Sequence, residues 1–538
     1  MHIDRITAKK DSIVISGDLS GTLAVIESSP TVGGDSRTIR RQIKAEAKDG
    51  RLVIDRFPGG TDSLYSRFAV VSGSSPVPGV KYVTDVSPEA QADTSDYPQP
   101  DIIKTIGATP DLVSELGIRQ GLMNVNLPNI MSAKPRGDDT IEYEFRGGKY
   151  YFIKSAVESI DSYMKSVPMM TMILLNSPRL FGSTGEKELL DACVHPKYDW
   201  GFRDAYISAF DMERDEGQGY YAAFVSFLAS RYTRPDRKYG RLVGVIVSNE
   251  VNSQYIWGNA GDMTVEDYVE EYAEALRLAW QCGQNFSRAF RVYISLDQFF
   301  CGANFDPSQR TRYYSGRRML ELLSDVCRRD GDFPWNVAYH PYPEDLRWAD
   351  FWHDRCPDFT YSTPKITFKN MEVLEAYMAQ THMLYRGQPR RLIFSEQGFN
   401  SRGDGLKEIT EEWAAAAYTL AYMKARNMKT LDLFTHHAYR DNPHEFGLNL
   451  GIRRFDADAP GTLGERKPIY YAVEDMDTAR EADRIEQAKK IIGEKLFDYL
   501  LHPPIETGER DGSKDGDFFS QPRKEEKSDF MAGNDPSA

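Results

Sequence analysis

From Gly117 onward, short apolar runs of strand character alternate with segments whose apolar residues recur at helical spacing. That alternation is the mark of βα units on a parallel sheet. Eight such runs can be counted: IRQGLMNVNL (118–127), MMTMILLNS (169–177), AYISAFDM (205–212), LVGVIVSNE (242–250), RVYISLDQF (291–299), WNVAYHPY (335–342), RLIFSEQGF (391–399) and TLDLFTHHAY (430–439). Eight parallel strands joined by helices predict an α/β chain closed into a (β/α)₈ barrel.

The segments between the runs support this reading. Ile153, Val157, Ile160, Met164 and Val167 fall on one helical face. Thr264 followed by Asp267 predicts a capped helix start, with Met263 and Tyr268 placed as a hydrophobic staple. A further helix is predicted from Thr410 to Arg426, ended by Asn427. The helix between the second and third runs is weakly marked.

A length of 538 residues exceeds what a barrel needs. Residues 1–86 hold short alternating runs (SIVISG, TLAVIES, RLVIDRF, SRFAVVS) between turn-forming clusters, which predicts a small all-β, sandwich-like domain. Residues 87–104, rich in Pro, Asp and Ser, read as a linker and 105–500 as the barrel. Residues 505–538 have the composition of a disordered tail.

Composition excludes several classes of function. A net charge of -14 argues against nucleic acid as partner, and no apolar run is long enough to span a membrane. The amino terminus lacks the basic-then-apolar pattern of a secretory signal, so a cytoplasmic protein is expected. Five scattered cysteines without a CxxC pair read as reduced thiols, and no metal or cofactor is expected. Neither a GxSxG elbow nor a phosphate-binding GxxxxGK[ST] loop is present.

In such barrels the reactive side chains project from the carboxyl ends of the strands. Two acidic residues end apolar runs there: Glu250 after LVGVIVSN, and Glu396 after RLIFS. Burial at such a position raises a carboxyl pKa and suits it to carry a proton near neutrality. Cleavage of a glycosidic bond needs two such carboxyls, one to protonate the leaving oxygen and one to attack the anomeric carbon or activate water.

Asn249-Glu250 at the end of the fourth run, with Glu396 at the end of the seventh, resembles clan A of the glycoside hydrolases. The segments SNEVNSQYIWGN and YYAAFVSFLASRY are similar to an uncharacterised branch of bacterial glycosidase-like proteins. The resemblance, over roughly residues 105–480, implies a retaining hydrolase acting on a carbohydrate, with Glu250 as acid/base, Glu396 as nucleophile and Asn249 bonding the sugar 2-hydroxyl. It also implies that His340 or Tyr342 orients Glu396. A transglycosidase with the same two Glu, or a non-catalytic carbohydrate-binding barrel, are the alternatives.

Other candidates follow from position. Asn126, Asn176, Asp297 and Gln298 end runs and suit either sugar hydroxyls or turns. Of His436 and His437, at most one faces the cleft, because neighbours on a strand point to opposite sides. Trp257, like Tyr255 and Trp335, suits either sugar stacking or packing.

Overall fold

The computed structural model describes residues 1–31, 38–107, 115–184, 186–304, 308–403 and 405–507. Eight parallel strands form one sheet: β1 (Lys104–Ile106), β2 (Gln120–Asn126), β3 (Met169–Leu175), β4 (Leu242–Val247), β5 (Arg291–Leu296), β6 (Trp335–Tyr339), β7 (Leu392–Phe394) and β8 (Leu431–His436). The ladder runs from β2 through β8 to β1, where Phe434, Thr435 and His436 pair with Lys104, Thr105 and Ile106. Side chains bridge the remaining seam. Thr105 Oγ1 donates to the Gln120 carbonyl at 2.6 Å, and Gln120 Nε2 donates to the carbonyls of Ile102 (3.2 Å) and Asp432 (2.8 Å).

Alternation along the strands sorts their side chains into two sets. Ile173, Leu175, Ile246, Tyr293, Ala338, Ile393 and Leu433 come from six different strands yet form one apolar cluster with Leu122, which fills the lumen. Their strand neighbours Val245, Val247, Val292, Ile294, Val337, Phe394 and Phe434 face outward into the main core beneath the helices.

Two expected assignments change. The run 205–212, expected as the third strand, crosses the barrel mouth instead, because β3 pairs directly with β4 and leaves no gap in the wall. Its Ser208 N–H donates to the Asn176 carbonyl at 2.8 Å, and Ile207 joins the lumen cluster. The ring is completed by the short β1, which straddles the expected start of the barrel and was not among the eight runs. Lys104 on β1 buries its ammonium against the carbonyls of Val473 (2.8 Å) and Met476 (2.5 Å). The two changes offset each other, so β4 and β7 keep their expected places as fourth and seventh strands.

Helices follow the strands, among them Lys154–Met164, Asp215–Tyr232, Val265–Gln284, Gly316–Asp330 and Lys407–Asn427. Thr264 caps the third of these, accepting from the Asp267 N–H at 3.2 Å. The last begins three residues before Thr410, whose hydroxyl turns back to the Leu406 carbonyl at 2.8 Å. Among the described residues no helix is long and apolar enough to cross a membrane.

The first 86 residues form two four-stranded sheets. One holds His2–Ala8, Ser12–Asp18, Arg51–Asp55 and Asp85–Val86; the other holds Gly21–Ser28, Ile39–Ala47, Arg67–Ser72 and Ser75–Pro76. Pairing is antiparallel except between the first and last strands of the first sheet. A three-stranded antiparallel insert, Met131–Ser132, Thr140–Phe145 and Gly148–Ile153, lies between β2 and its helix. The connecting stretch 87–103 is packed rather than loose: the Asp93 N–H donates to the Phe286 carbonyl at 2.9 Å, and Tyr97 lies under the Arg291 guanidinium at 3.3 Å. Of the expected disordered tail, residues 508–538 lie outside the described residues, and the Glu506 N–H donates to the Phe359 carbonyl at 2.8 Å.

Candidate functional site

The carboxyl ends of the strands open into a cleft of about 700 Å³. At the end of β4, Ser248 (φ 64°) and Glu250 (φ 38°) both adopt the left-handed conformation that non-glycine residues avoid. They turn Asn249 and Glu250 into the cleft instead of continuing the strand. The Glu250 N–H donates to Ser295 Oγ at 3.0 Å, which fixes the turn to β5.

The Glu250 carboxylate is only 16% exposed and lies 2.8 Å from His340 Nδ1. His340 is fully buried, and its Nε2 bonds Ser395 Oγ at 3.0 Å. Burial pushes Glu250 up to about 7; the His340 hydrogen bond and charge oppose this, and the nearby Asp297 and Glu396 carboxylates add to it. A carboxyl titrating there can both donate and accept a proton at neutral pH.

Glu396 lies two residues beyond β7 on the other wall, where Tyr342 donates its hydroxyl to Oε1 at 3.0 Å. The chain then passes close to β8: the His437 N–H donates to the Gln397 carbonyl at 2.7 Å, and a Cβ on Gly398 would meet the His437 carbonyl at 2.2 Å. Only glycine fits at 398. Asp297 closes the floor between the two, accepting from Asn252 Nδ2 and Ser253 Oγ, each at 2.5 Å, and from the Phe299 N–H at 2.8 Å. Burial raises its pKa as well.

Of the residues expected here, Asn249, Glu250, Trp257, Asp297, Gln298, Tyr342, Glu396 and His437 line one cleft. Trp257 stacks on Tyr206, with ring centroids 5.2 Å apart. Gln298 directs its amide nitrogen at the carbonyls of Tyr342 (3.2 Å) and Pro343 (3.3 Å). His340, expected to touch substrate or orient Glu396, stands behind Glu250 instead.

Three expected residues do not line the cleft. Asn176 follows the lumen residue Leu175 and so points outward, where Nδ2 donates to the carbonyls of Cys193 (2.8 Å) and Ala209 (3.3 Å). His436 likewise points away from the lumen, donating from Nε2 to the Leu450 carbonyl at 2.9 Å, and burial lowers its pKa to about 3. Asn126 is turned to Ser177, whose hydroxyl donates to it at 2.6 Å.

Sequence reasoning missed Asn124, which lines the cleft from β2, and the loop residues Asn304, Glu344, Lys365, Glu445 and Phe446. Glu445 pairs with His437 at 3.2 Å. Asn124 shares the parity of Leu122, a signal that alternation carries once a lumen residue is known. The loop residues carry no periodic signal.

Among the described residues, His195, Glu213 and Glu271 bring possible metal-ligand atoms within 4.8 Å of one another. The Lys197 N–H donates to His195 Nδ1 at 3.2 Å, so Nε2 carries the ring proton and directs it at Glu271, 2.9 Å away. The Lys197 ammonium bonds Glu213. No lone pair of the ring is left for a metal.

A family model described as a family of unknown function, DUF5722, matches residues 97–499. A search of curated proteins finds no match. Among solved structures the chain is similar to a family 39 glycoside hydrolase from the gut symbiont Bacteroides cellulosilyticus WH2, at 12% identity over 89% of this chain and 83% of that one, with a TM-score of 0.42. It is similar also to a hyperthermophilic β-glucosidase from Pyrococcus furiosus (12% identity, 73% and 85% covered, TM-score 0.40). A family 39 β-xylosidase from Caulobacter crescentus gives 15% identity, 71% and 72% coverage and a TM-score of 0.39.

Proposed function

We propose that this chain, which belongs to DUF5722, a family of unknown function, is a retaining glycoside hydrolase that cleaves an oligo- or polysaccharide by double displacement. One observation carries the reading: two carboxyls share one cleft, and burial tunes Glu250 to hold a proton near neutrality while Tyr342 holds one oxygen of Glu396.

Glu396 attacks the anomeric carbon with its free oxygen as Glu250 gives its proton to the departing glycosidic oxygen, forming a covalent glycosyl-enzyme. Glu250, now ionised, takes a proton from water, whose oxygen displaces Glu396 and keeps the anomeric configuration. Asn249, which lines the cleft beside the acid, bonds the sugar 2-hydroxyl, and Trp257 offers a ring face to the sugar.

The test is Glu396→Ala assayed on a panel of aryl glycosides. Turnover is expected to vanish, and added azide to restore it with an inverted glycosyl azide as product. Undiminished hydrolysis by the variant would remove Glu396 from the chemistry.

A further inference from the structure

A second cavity, of about 460 Å³, shares no lining residue with the cleft. It lies where the amino-terminal sheets, the inserted hairpin and the first turn of helix Asp215–Tyr232 meet. Its acidic groups are already engaged. Glu27 accepts from Arg41 Nε at 2.9 Å and from Ser66 Oγ at 2.7 Å. Asp215 accepts from the hydroxyls of Thr31 and Thr38, the latter at 2.9 Å.

Its donors are not. Arg146 buries Nε and Nη2 without a hydrogen-bond partner among the described residues, and its guanidinium meets the Tyr65 ring at 5.6 Å. Those two nitrogens form the edge by which Arg231 grips Asp161 side-on, at 2.9 and 2.6 Å, and Arg56 grips Asp62, at 2.8 and 2.7 Å. Gln218, only 2% exposed, also lines the cavity and leaves Nε2 without a partner. Arg40 adds another guanidinium that makes no hydrogen bond among the described residues, its charge facing the Asp215 and Glu27 carboxylates.

The position of Arg146 is itself unfavourable. It is the first central residue of the two-residue turn joining Thr140–Phe145 to Gly148–Ile153, with φ 52° followed by Gly147 at φ 80°. Asn, Asp and Gly dominate such turns, so the conformation does not account for an arginine. Two buried guanidinium nitrogens without a partner lack compensation for their lost hydration, and a bidentate anion supplies it.

We propose that this cavity binds a small anionic ligand bearing a carboxylate or a phosphate, held side-on by Arg146 with Arg40 and the Gln218 amide beside it. Its volume lies in the range that accepts small-molecule ligands. The site is independent of the glycosidase reading, since none of its residues reaches the cleft.

Isothermal titration of the full chain at low ionic strength with inorganic phosphate and, separately, with glucuronate tests this and tells the two sources apart. Saturable binding of at least one is expected, weakened at least tenfold in Arg146→Met and at least threefold in Arg40→Met, and unchanged in the cleft variant Glu396→Gln. Should Arg146→Met lose its native circular dichroism, Arg40→Met alone decides. Absence of saturable binding by both anions, affinity unaltered in the arginine variants, or binding lost in Glu396→Gln overturns the proposal.

Discussion

Replacing Glu250 with Gln is expected to stabilise the protein at alkaline pH and not at acid pH, whatever the variant does to turnover. The Glu250 carboxyl is pushed from an ordinary 4.5 up to about 7, chiefly by burial. Below the lower value both the folded and the unfolded chain hold the proton, and the carboxyl's contribution to stability is fully present. Between the two values the unfolded chain releases its proton while the folded chain keeps it, so stability falls as pH rises. Above the folded value both are ionised, and the native state carries the whole cost of a buried charge. At about 1.4 kcal/mol per pH unit that rise amounts to about 3 kcal/mol. Gln fills the same space and never ionises. An unfolding entropy near 2 cal/mol/K per residue gives about 1 kcal/mol/K for a chain of this length, so the melting temperature should rise by about 3 °C. Calorimetric or fluorimetric melting of both proteins at pH 4 and pH 9, at one ionic strength, reads the effect directly. The same melting-temperature difference at both pH values, or a wild-type protein that melts higher at pH 9, would refute the reasoning.

Two further outcomes follow from the same pair. His340→Leu removes the partner that holds the Glu250 pKa down, so the alkaline limb of the kcat/KM profile should move up from near 7 by about 1–2 pH units, the worth of a charge-assisted hydrogen bond. A limb that stays in place or moves down would contradict this. Tyr342→Phe removes the hydroxyl that donates to Glu396 and should lower kcat by about ten- to a hundredfold while KM changes little; a loss below twofold would show that this bond does not serve turnover.

Much of the barrel could be read from the sequence because its strands are buried on both faces, which makes each a continuous apolar run ending in a polar residue. The exceptions have physical causes. β1 escaped because it is three residues long and begins with Lys104, a buried ammonium satisfied by carbonyls more than 360 positions away in sequence. The run 205–212 mimicked a strand because Ile207 is as buried as a wall residue while it caps the lumen from above.

The candidate site divides along the same line between periodic and aperiodic signals. Each misplaced residue sits next to a correct one or two positions from it: Asn176 follows lumen-facing Leu175, His436 precedes cleft-lining His437, and Asn126 lies two beyond cleft-lining Asn124. Strand parity separates the first two pairs, once Leu175 and Leu433 are known to face the lumen, because a one-residue step reverses the side. It cannot separate Asn124 from Asn126, which share a parity; there the end of β2 decides, since the chain turns at Asn126 into the short helix Leu127–Ile130 and carries the amide to Ser177. Glu445 and Phe446 obey no period at all. Their place is set by the ion pair to His437 and by a loop that holds Phe446 at φ 49° and 74% exposed over the cleft, a combination visible only when β8 and the loop after it are seen together. Residues on strands are therefore the ones through which sequence speaks to the proposed reaction type, whereas the choice of sugar, under the glycosidase function we propose, rests with side chains whose positions depend on contacts between loops.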